Sequence, residues 1–176
     1  MSMPAAPVCR QLIVQIVGYK NTGKTTMVCR LTEQFKQAGY KVGTIKHDAH
    51  SFDMDRPGTD TWLHQAAGAD MTAISSSAQS AILYRESLSL EEMIIAMDSA
   101  DIILIEGYKN AAYPKLLLLR TAEDLELLQM LNGIAAIAVW PEAMPLIAPL
   151  LPLEWPVADI NDGDKLFELA IAAARL

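Results

Sequence analysis

Residues Gly18 to Thr25 read G-Y-K-N-T-G-K-T, the spacing of a phosphate-binding loop, and this constrains the fold more than any other stretch. The apolar run Leu12-Ile13-Val14-Gln15-Ile16-Val17 before it reads as a buried strand. After Thr25 the apolar residues Met27, Leu31, Phe35 and Ala38 recur on one face of a helix. Strand, glycine-rich turn and helix in that order bring loop amides and the positive end of a helix dipole to one point. Glycines let backbone N–H groups close on phosphate oxygens, the Lys24 ammonium reaches the outer phosphates, and the Thr25 hydroxyl can ligate Mg²⁺. The expected nucleotide-binding set is therefore Gly18, Lys20, Asn21, Thr22, Gly23, Lys24, Thr25 and Thr26, and the expected ligand a nucleoside triphosphate with Mg²⁺.

A second strand, Lys41 to Lys46, follows the helix-stop signal at Ala38-Gly39, and one strand-helix-strand crossover predicts a parallel, two-sided sheet. Asp101-Ile102-Ile103-Leu104-Ile105-Glu106-Gly107 has the apolar run of a central parallel strand with an acid at its carboxyl end. Leu116 to Leu119 and Ile134 to Val139 read as further buried strands, with a helix near Glu123 to Leu131 between them. Thr59 to Gly68 and Leu90 to Met97 read as helices, Met71 to Ser75 and Ser80 to Tyr84 as short strands around a Ser-rich turn. A last helix over Asn161 to Leu176 is capped by Asn161 or Asp162, and Pro141 to Pro156 reads as a structured loop. The expected fold is α/β: a three-layer P-loop NTPase domain over residues 1–176, with a mainly parallel sheet flanked by helices and residues 1–10 loosely ordered.

The formal net charge of -7 is unevenly spread: residues 1–60 hold 8 Lys/Arg against 5 Asp/Glu, and residues 61–176 hold 6 against 16. No basic cluster is long enough to follow a nucleic-acid backbone, so a small anionic ligand is expected and nucleic acid is not. Cys9 and Cys29 lack the spacing of a disulfide framework or a zinc site. The N-terminal residues show no basic region followed by an apolar one, and no apolar stretch approaches membrane-spanning length; a cytoplasmic protein with no membrane partner is expected.

Glu106 stands where a P-loop protein places the acid that holds Mg²⁺, directly or through water, and joins Thr25 as a candidate metal ligand. The polar stretch from Lys46 to Asp60 begins where the second strand ends. Its Lys46, His47, His50, Asp53, Asp55 and Asp60 form a candidate switch or cofactor loop. His47 and His50 lack a clear third ligand for a metal other than Mg²⁺. Lys109, Lys115 and Arg120 follow Glu106 and are candidates for an anionic ligand or for plain surface charge; Trp62, Trp140 and Trp155 read as packing residues. No Asn/Thr-Lys-x-Asp string occurs, so the base is not read locally, although Asp159 or Asp162 can take that role. No residue stands out as catalytic, because nothing matches the water-orienting glutamine or the arginine finger of a GTPase.

Assembled, these residues resemble the MobB family of bacterial molybdopterin-guanine dinucleotide biosynthesis adaptor proteins, over residues 12 to about 170. The likeness rests on the loop Gly18 to Thr26, Thr44 to His47, His50, Phe52, Asp53, Asp55, Pro57-Gly58, Asp60 and Ala67-Gly68-Ala69. It continues through Ile105 to Lys109, Lys115-Leu116, Arg120 and Asp159 to Asp162. The resemblance implies a GTP-binding, Mg²⁺-dependent homodimer with slow GTPase activity at most. Such a protein assists the guanylyltransferase that attaches GMP to molybdopterin, with molybdopterin itself a further candidate ligand. Met71 to Tyr84 is either the dimer interface or an ordinary edge hairpin. Two other readings stay open: an ATP-dependent ligase or kinase of dethiobiotin-synthetase type, and a metallochaperone GTPase using His47 and His50.

Overall fold

A computed structural model describes residues 11–47 and 53–176. Along the chain run β1 (Leu12–Val17), α1 (Lys24–Gln37), β2 (Val42–Lys46), α2 (Asp60–Ala66), β3 (Met71–Ser75), β4 (Ser80–Tyr84) and α3 (Leu90–Ala96). Then follow β5 (Ile102–Glu106), β6 (Lys115–Leu119), α4 (Leu127–Met130), β7 (Ile134–Val139), α5 (Met144–Ile147), β8 (Val157–Asp159) and α6 (Gly163–Ala174). The chain divides into two compact units: Asp48–Ala96 forms one, and the segments to either side form the other.

The larger unit holds a six-stranded sheet in the order β2-β5-β1-β6-β7-β8, every neighbouring pair parallel. β5 and β6 are buried along their whole length, which their unbroken runs of aliphatic residues require of interior parallel strands. One face carries Val14, Ile16, Leu104, Leu118 and Ala138, packed with Leu31 and Phe35 of α1 and Leu166 and Ala170 of α6. On the other face Val17, Leu117, Leu119, Ile137 and Val139 pack with Leu127 of α4 and Ile147 of α5. Helices thus cover both faces, as the sequence predicts. β1 lies between β5 and β6, so the loop leaving its carboxyl end emerges at the middle of the sheet, where open α/β sheets collect ligands.

Several local expectations are corrected. Ala38 does not extend the apolar face of α1; it is the exposed C-cap, and Val28 takes the fourth buried position. The helix expected over Glu123 to Leu131 is a 3-10 segment, Ala122–Glu126, followed by the single turn of α4. Asp124 enforces the tighter start, because its buried carboxylate accepts the N–H groups of Arg120 and Thr121 at 2.8 and 2.7 Å. Val157–Asp159 is an unanticipated edge strand beside β7, and Asp162, one of the two expected caps, closes the start of α6 by accepting Lys165 N–H at 3.0 Å.

β5 and β6 flank β1, yet no helix joins them. The eight residues Gly107 to Pro114 make the connection as irregular chain. In the smaller unit, α2 is capped by Thr59 and packs on the antiparallel β3–β4 hairpin. The expected loose order of residues 1–10 falls outside the described residues.

Candidate functional site

The chain turns out of β1 at Gly18, where a Cβ would lie 2.6 Å from Thr22 Oγ1 and 3.0 Å from the Leu118 carbonyl oxygen; only glycine lets the loop close there. Thr22 is buried and donates its hydroxyl to the Tyr19 carbonyl at 2.9 Å. Gly23 enters α1 with φ +93° and its α-carbon against the Trp140 ring, where a Cβ would sit 3.1 Å away. No side chain caps this helix and its first turn carries no acid, which leaves the N-terminal amides and the positive end of the dipole for an anion.

Two side chains hold the outer rim of the loop. Arg120 donates to the Asn21 carbonyl at 2.9 Å and Trp140 Nε1 donates to the Thr22 carbonyl at 2.8 Å. The guanidinium lies 4.6 Å from the Trp140 ring and 3.4 Å from Glu142. Tying these carbonyls outward favours N–H groups that face inward, the arrangement of an anion nest.

Inside the loop Lys24 donates to the Tyr19 carbonyl at 2.6 Å. Burial pulls its pKa below the ordinary lysine value; Glu106 opposes that shift, while Lys109 and Lys46 add to it. Thr25 Oγ1 donates to the nearly buried Glu106 carboxylate at 2.9 and 3.1 Å, and Lys46 Nζ stands 3.3 Å from it. Lys109 Nζ lies 4.0 Å above the Tyr19 ring. Tyr19 in turn donates its hydroxyl to Glu126, and that bond raises the phenol pKa. His47 donates its backbone N–H to the Glu106 carbonyl at 3.0 Å, with its ring 4.6 Å from that of Tyr108. Lysines 24, 46 and 109 thus gather around the loop and one carboxylate, an electrostatic setting for a polyanion. The facing oxygens of Thr25 and Glu106 are a donor set suited to a small hard cation.

Of the sequence-derived candidates, the loop residues, Glu106, Lys46 and His47 come together in the larger unit. His50 lies outside the described residues. Asp53, Asp55 and Asp60 belong to the smaller unit. There Asp55 accepts from Thr59 Oγ1 and Arg56 N–H at 2.8 Å and from Gln65 at 3.0 Å; hydrogen bonding from Thr59, Thr61 and the Arg56 N–H holds its carboxyl below the usual range. Asp60 opens α2, favourably placed in the helix dipole. Asp159 accepts from the backbone N–H and side-chain amide of Asn161 at 2.7 and 3.0 Å. Trp140 and Gln15 are contributors that composition and spacing do not reveal. Among the described residues no group of three or more His, Cys, Asp or Glu is placed to hold a metal.

The profile of the family described as "MobB: Molybdopterin guanine dinucleotide synthesis protein B" matches residues 13–140. The chain is 40% identical over 129 residues, 71% of its length and 75% of the relative's, to the "Probable molybdopterin-guanine dinucleotide biosynthesis adapter protein" of Bacillus subtilis. It is 30% identical over 167 residues, 90% of its length and 91% of the relative's, to the corresponding adapter protein of Escherichia coli. Its fold superposes on the crystal structure of Bacillus subtilis MobB with a TM-score of 0.74 at 30% identity, covering 93% of this chain and 98% of that one. With the family profile matching residues 13–140, a relative matched over nine-tenths of both chains and the same fold in a solved structure, the chain belongs to the MobB family.

Proposed function

We propose that this adapter protein of molybdopterin guanine dinucleotide biosynthesis binds GTP with Mg²⁺ at the Gly18–Thr26 loop, and in that state assists the guanylyltransferase that attaches GMP to molybdopterin. The adapter role follows from family membership. The observation that carries nucleotide binding is the assembly of Lys24, the open amino end of α1 and the Thr25–Glu106 pair at one strand end. Loop amides and Lys24 would take the outer phosphates, Thr25 and Glu106 would hold the metal, and Lys46, 3.3 Å from Glu106, would add positive charge beside them. Mg²⁺ supplies neutralisation of phosphate charge. Slow hydrolysis is expected, since no glutamine or free guanidinium faces the loop among the described residues; Arg120 is spent on Asn21, Trp140 and Glu142.

The smaller unit supports a homodimer. Met71, Ile82 and Tyr84 lie on one face of the hairpin and are exposed, and a two-stranded sheet gains most from burial against a second copy.

Competition of GTP and ATP against a fluorescent analogue, with turnover recorded in the same samples, tests the reading. The expected result is GTP preference, dependence on Mg²⁺, slow turnover, and an affinity loss of about 30-fold or more in Lys24→Ala, the scale of a charge-assisted contact. Unchanged affinity in Lys24→Ala removes the site. ATP preference, or fast turnover once a small acid or amine is added, assigns the chain to the ligase or kinase class instead.

A further inference from the structure

Two buried polar side chains sit where the hydrophobic core has no need of them. Gln15 of β1 is 0% exposed and Lys115 of β6 is 1% exposed, and they are direct partners in the parallel register, side by side on one face of the sheet. Gln15 Nε2 donates to the carbonyls of Gly107 and Tyr108 at 3.1 and 2.7 Å. Lys115 Nζ donates to the carbonyls of Ala111 and Tyr113 at 2.6 and 3.0 Å. All four acceptors belong to the helix-free crossover Gly107 to Pro114, which passes from β5 to β6 across this face of β1.

Burying a lysine without a carboxylate is unfavourable, and no acid pairs with Lys115 among the described residues. Leucine or methionine at either position would suit the neighbouring aliphatic core. What the polar pair provides is a fixed path for the middle of a segment whose two ends are tied to β1, by Gly107 N–H to the Ile16 carbonyl at 3.1 Å and by Gln15 N–H to the Pro114 carbonyl at 2.8 Å. That path begins with a sharp turn, Gly107 at φ +92° and Tyr108 at φ +51°. The left-handed conformation at Tyr108 is unfavourable for a bulky side chain, and the Gln15 bond to its carbonyl helps hold it there. The next residue is Lys109, whose ammonium this turn sets over Tyr19 of the phosphate loop.

We infer that Gln15 and Lys115 are positioning residues that hold the crossover from beneath, so that Lys109 is delivered to the phosphate loop as a further cation for the nucleotide's phosphates. The inference rests on the nucleotide-site reading above. It separates three basic residues that look alike in sequence: Lys109 faces the ligand, Lys115 supports Lys109, and Arg120 braces the rim of the loop.

A double-mutant cycle on the full chain, read as GTP affinity with Mg²⁺, distinguishes positioning from mere structural support. Lys109→Met is expected to weaken binding about tenfold; Lys115→Met should match it alone, yet cost less than about twofold when added to Lys109→Met. Gln15→Leu, a milder change, should show the same coupling and keeps the test available if Lys115→Met does not fold. Hydrogen exchange adds a readout without ligand: amides of residues 108–113 should exchange faster in both variants, with those of β7 unchanged. Additive losses, or full affinity in Lys115→Met and Gln15→Leu, overturn the inference while leaving the site intact. If wild type binds no nucleotide, or Lys24→Ala binds as wild type does, the site reading itself fails and the role of Lys109 falls with it.

Discussion

Lys24 and Trp140 illustrate two ways in which single residues shape the phosphate loop. Lys24 supplies charge, and its place in the G-x-x-x-x-G-K-T spacing makes it legible in the sequence. Trp140 supplies geometry from the end of β7, 118 residues after the carbonyl it holds. Nothing local marks it, since its role exists only once the sheet order places the ends of β6 and β7 beside the loop. Glu106 lies between these cases: the strand end was readable, while its 2.9 Å bond from Thr25 and its ion pair with Lys46 needed the register of β2, β5 and β1. Trp140→Phe keeps the ring against Gly23 and deletes one hydrogen bond, a net effect of about 1 kcal/mol. GTP affinity in that variant should fall about fivefold with a small change in melting temperature. An unchanged affinity would show that the Thr22 carbonyl holds its outward orientation without the indole.

Among the elements, α1 connects site and core, because Lys24 and Thr25, which open it, bond within the phosphate loop and to Glu106 and the residues that follow pack the sheet. Phe35 is fully buried near its end, edge-on to Tyr40 at 5.5 Å and to Phe167 of α6 at 4.8 Å between ring centroids. Phe35→Ala should destabilise the fold by about 3–5 kcal/mol, the cost of a large core cavity, read as a lower denaturation midpoint with unchanged slope. A loss below about 1 kcal/mol would mean that α1 and α6 close over the gap. Helix α1 was legible because its apolar period repeats over several turns. β8 was not: three residues beside a proline-rich segment carry no period, and only pairing with β7 makes them a strand. The 3-10 start at Ala122–Glu126 escaped for a related reason, since helical periodicity does not register a carboxylate that binds the backbone just before it. The crossover from Gly107 to Pro114 is the largest such case. Its order comes from Gln15 and Lys115, which in sequence look like an interruption of one strand and the polar flank of another.

For the whole molecule, burial of cations sets the response to alkali. Burial lowers the pKa of Lys24, Lys109 and Lys115 from the ordinary 10.5, so the folded chain releases these protons before the unfolded chain does. Between the lowered values and 10.5 the unfolded state therefore binds more protons, and this contribution makes stability rise with pH; it is lost as pH falls through the folded values. Urea denaturation across that window should show a shallower rise in Lys115→Met than in wild type, and identical slopes would remove Lys115 from the account. A bound triphosphate reverses the preference at Lys24 by favouring the ammonium, so nucleotide affinity should fall as pH climbs through the same window. Assembly is the remaining property at this scale. Register pairs Met71 with Tyr84 and Ala73 with Ile82 on one face of the hairpin, and Met71, Ile82 and Tyr84 are 64%, 60% and 43% exposed. On the opposite face Thr72 is buried against its own unit while Ile74 is 54% exposed, so the Met71–Ile82–Tyr84 face is the more open of the two and carries more large apolar side chains. Isolated two-stranded sheets are marginal in water, which makes self-association through the open face its most direct source of stability. Light scattering during size exclusion should return twice the 19.2 kDa chain mass for wild type and a single chain mass for Met71→Glu with Ile82→Glu. Each carboxylate would have to be desolvated for the faces to meet. Circular dichroism of the larger unit's helices should be unchanged in the double variant. A monomeric wild type, or a double variant that still dimerises, would place the association surface away from the hairpin or remove it altogether.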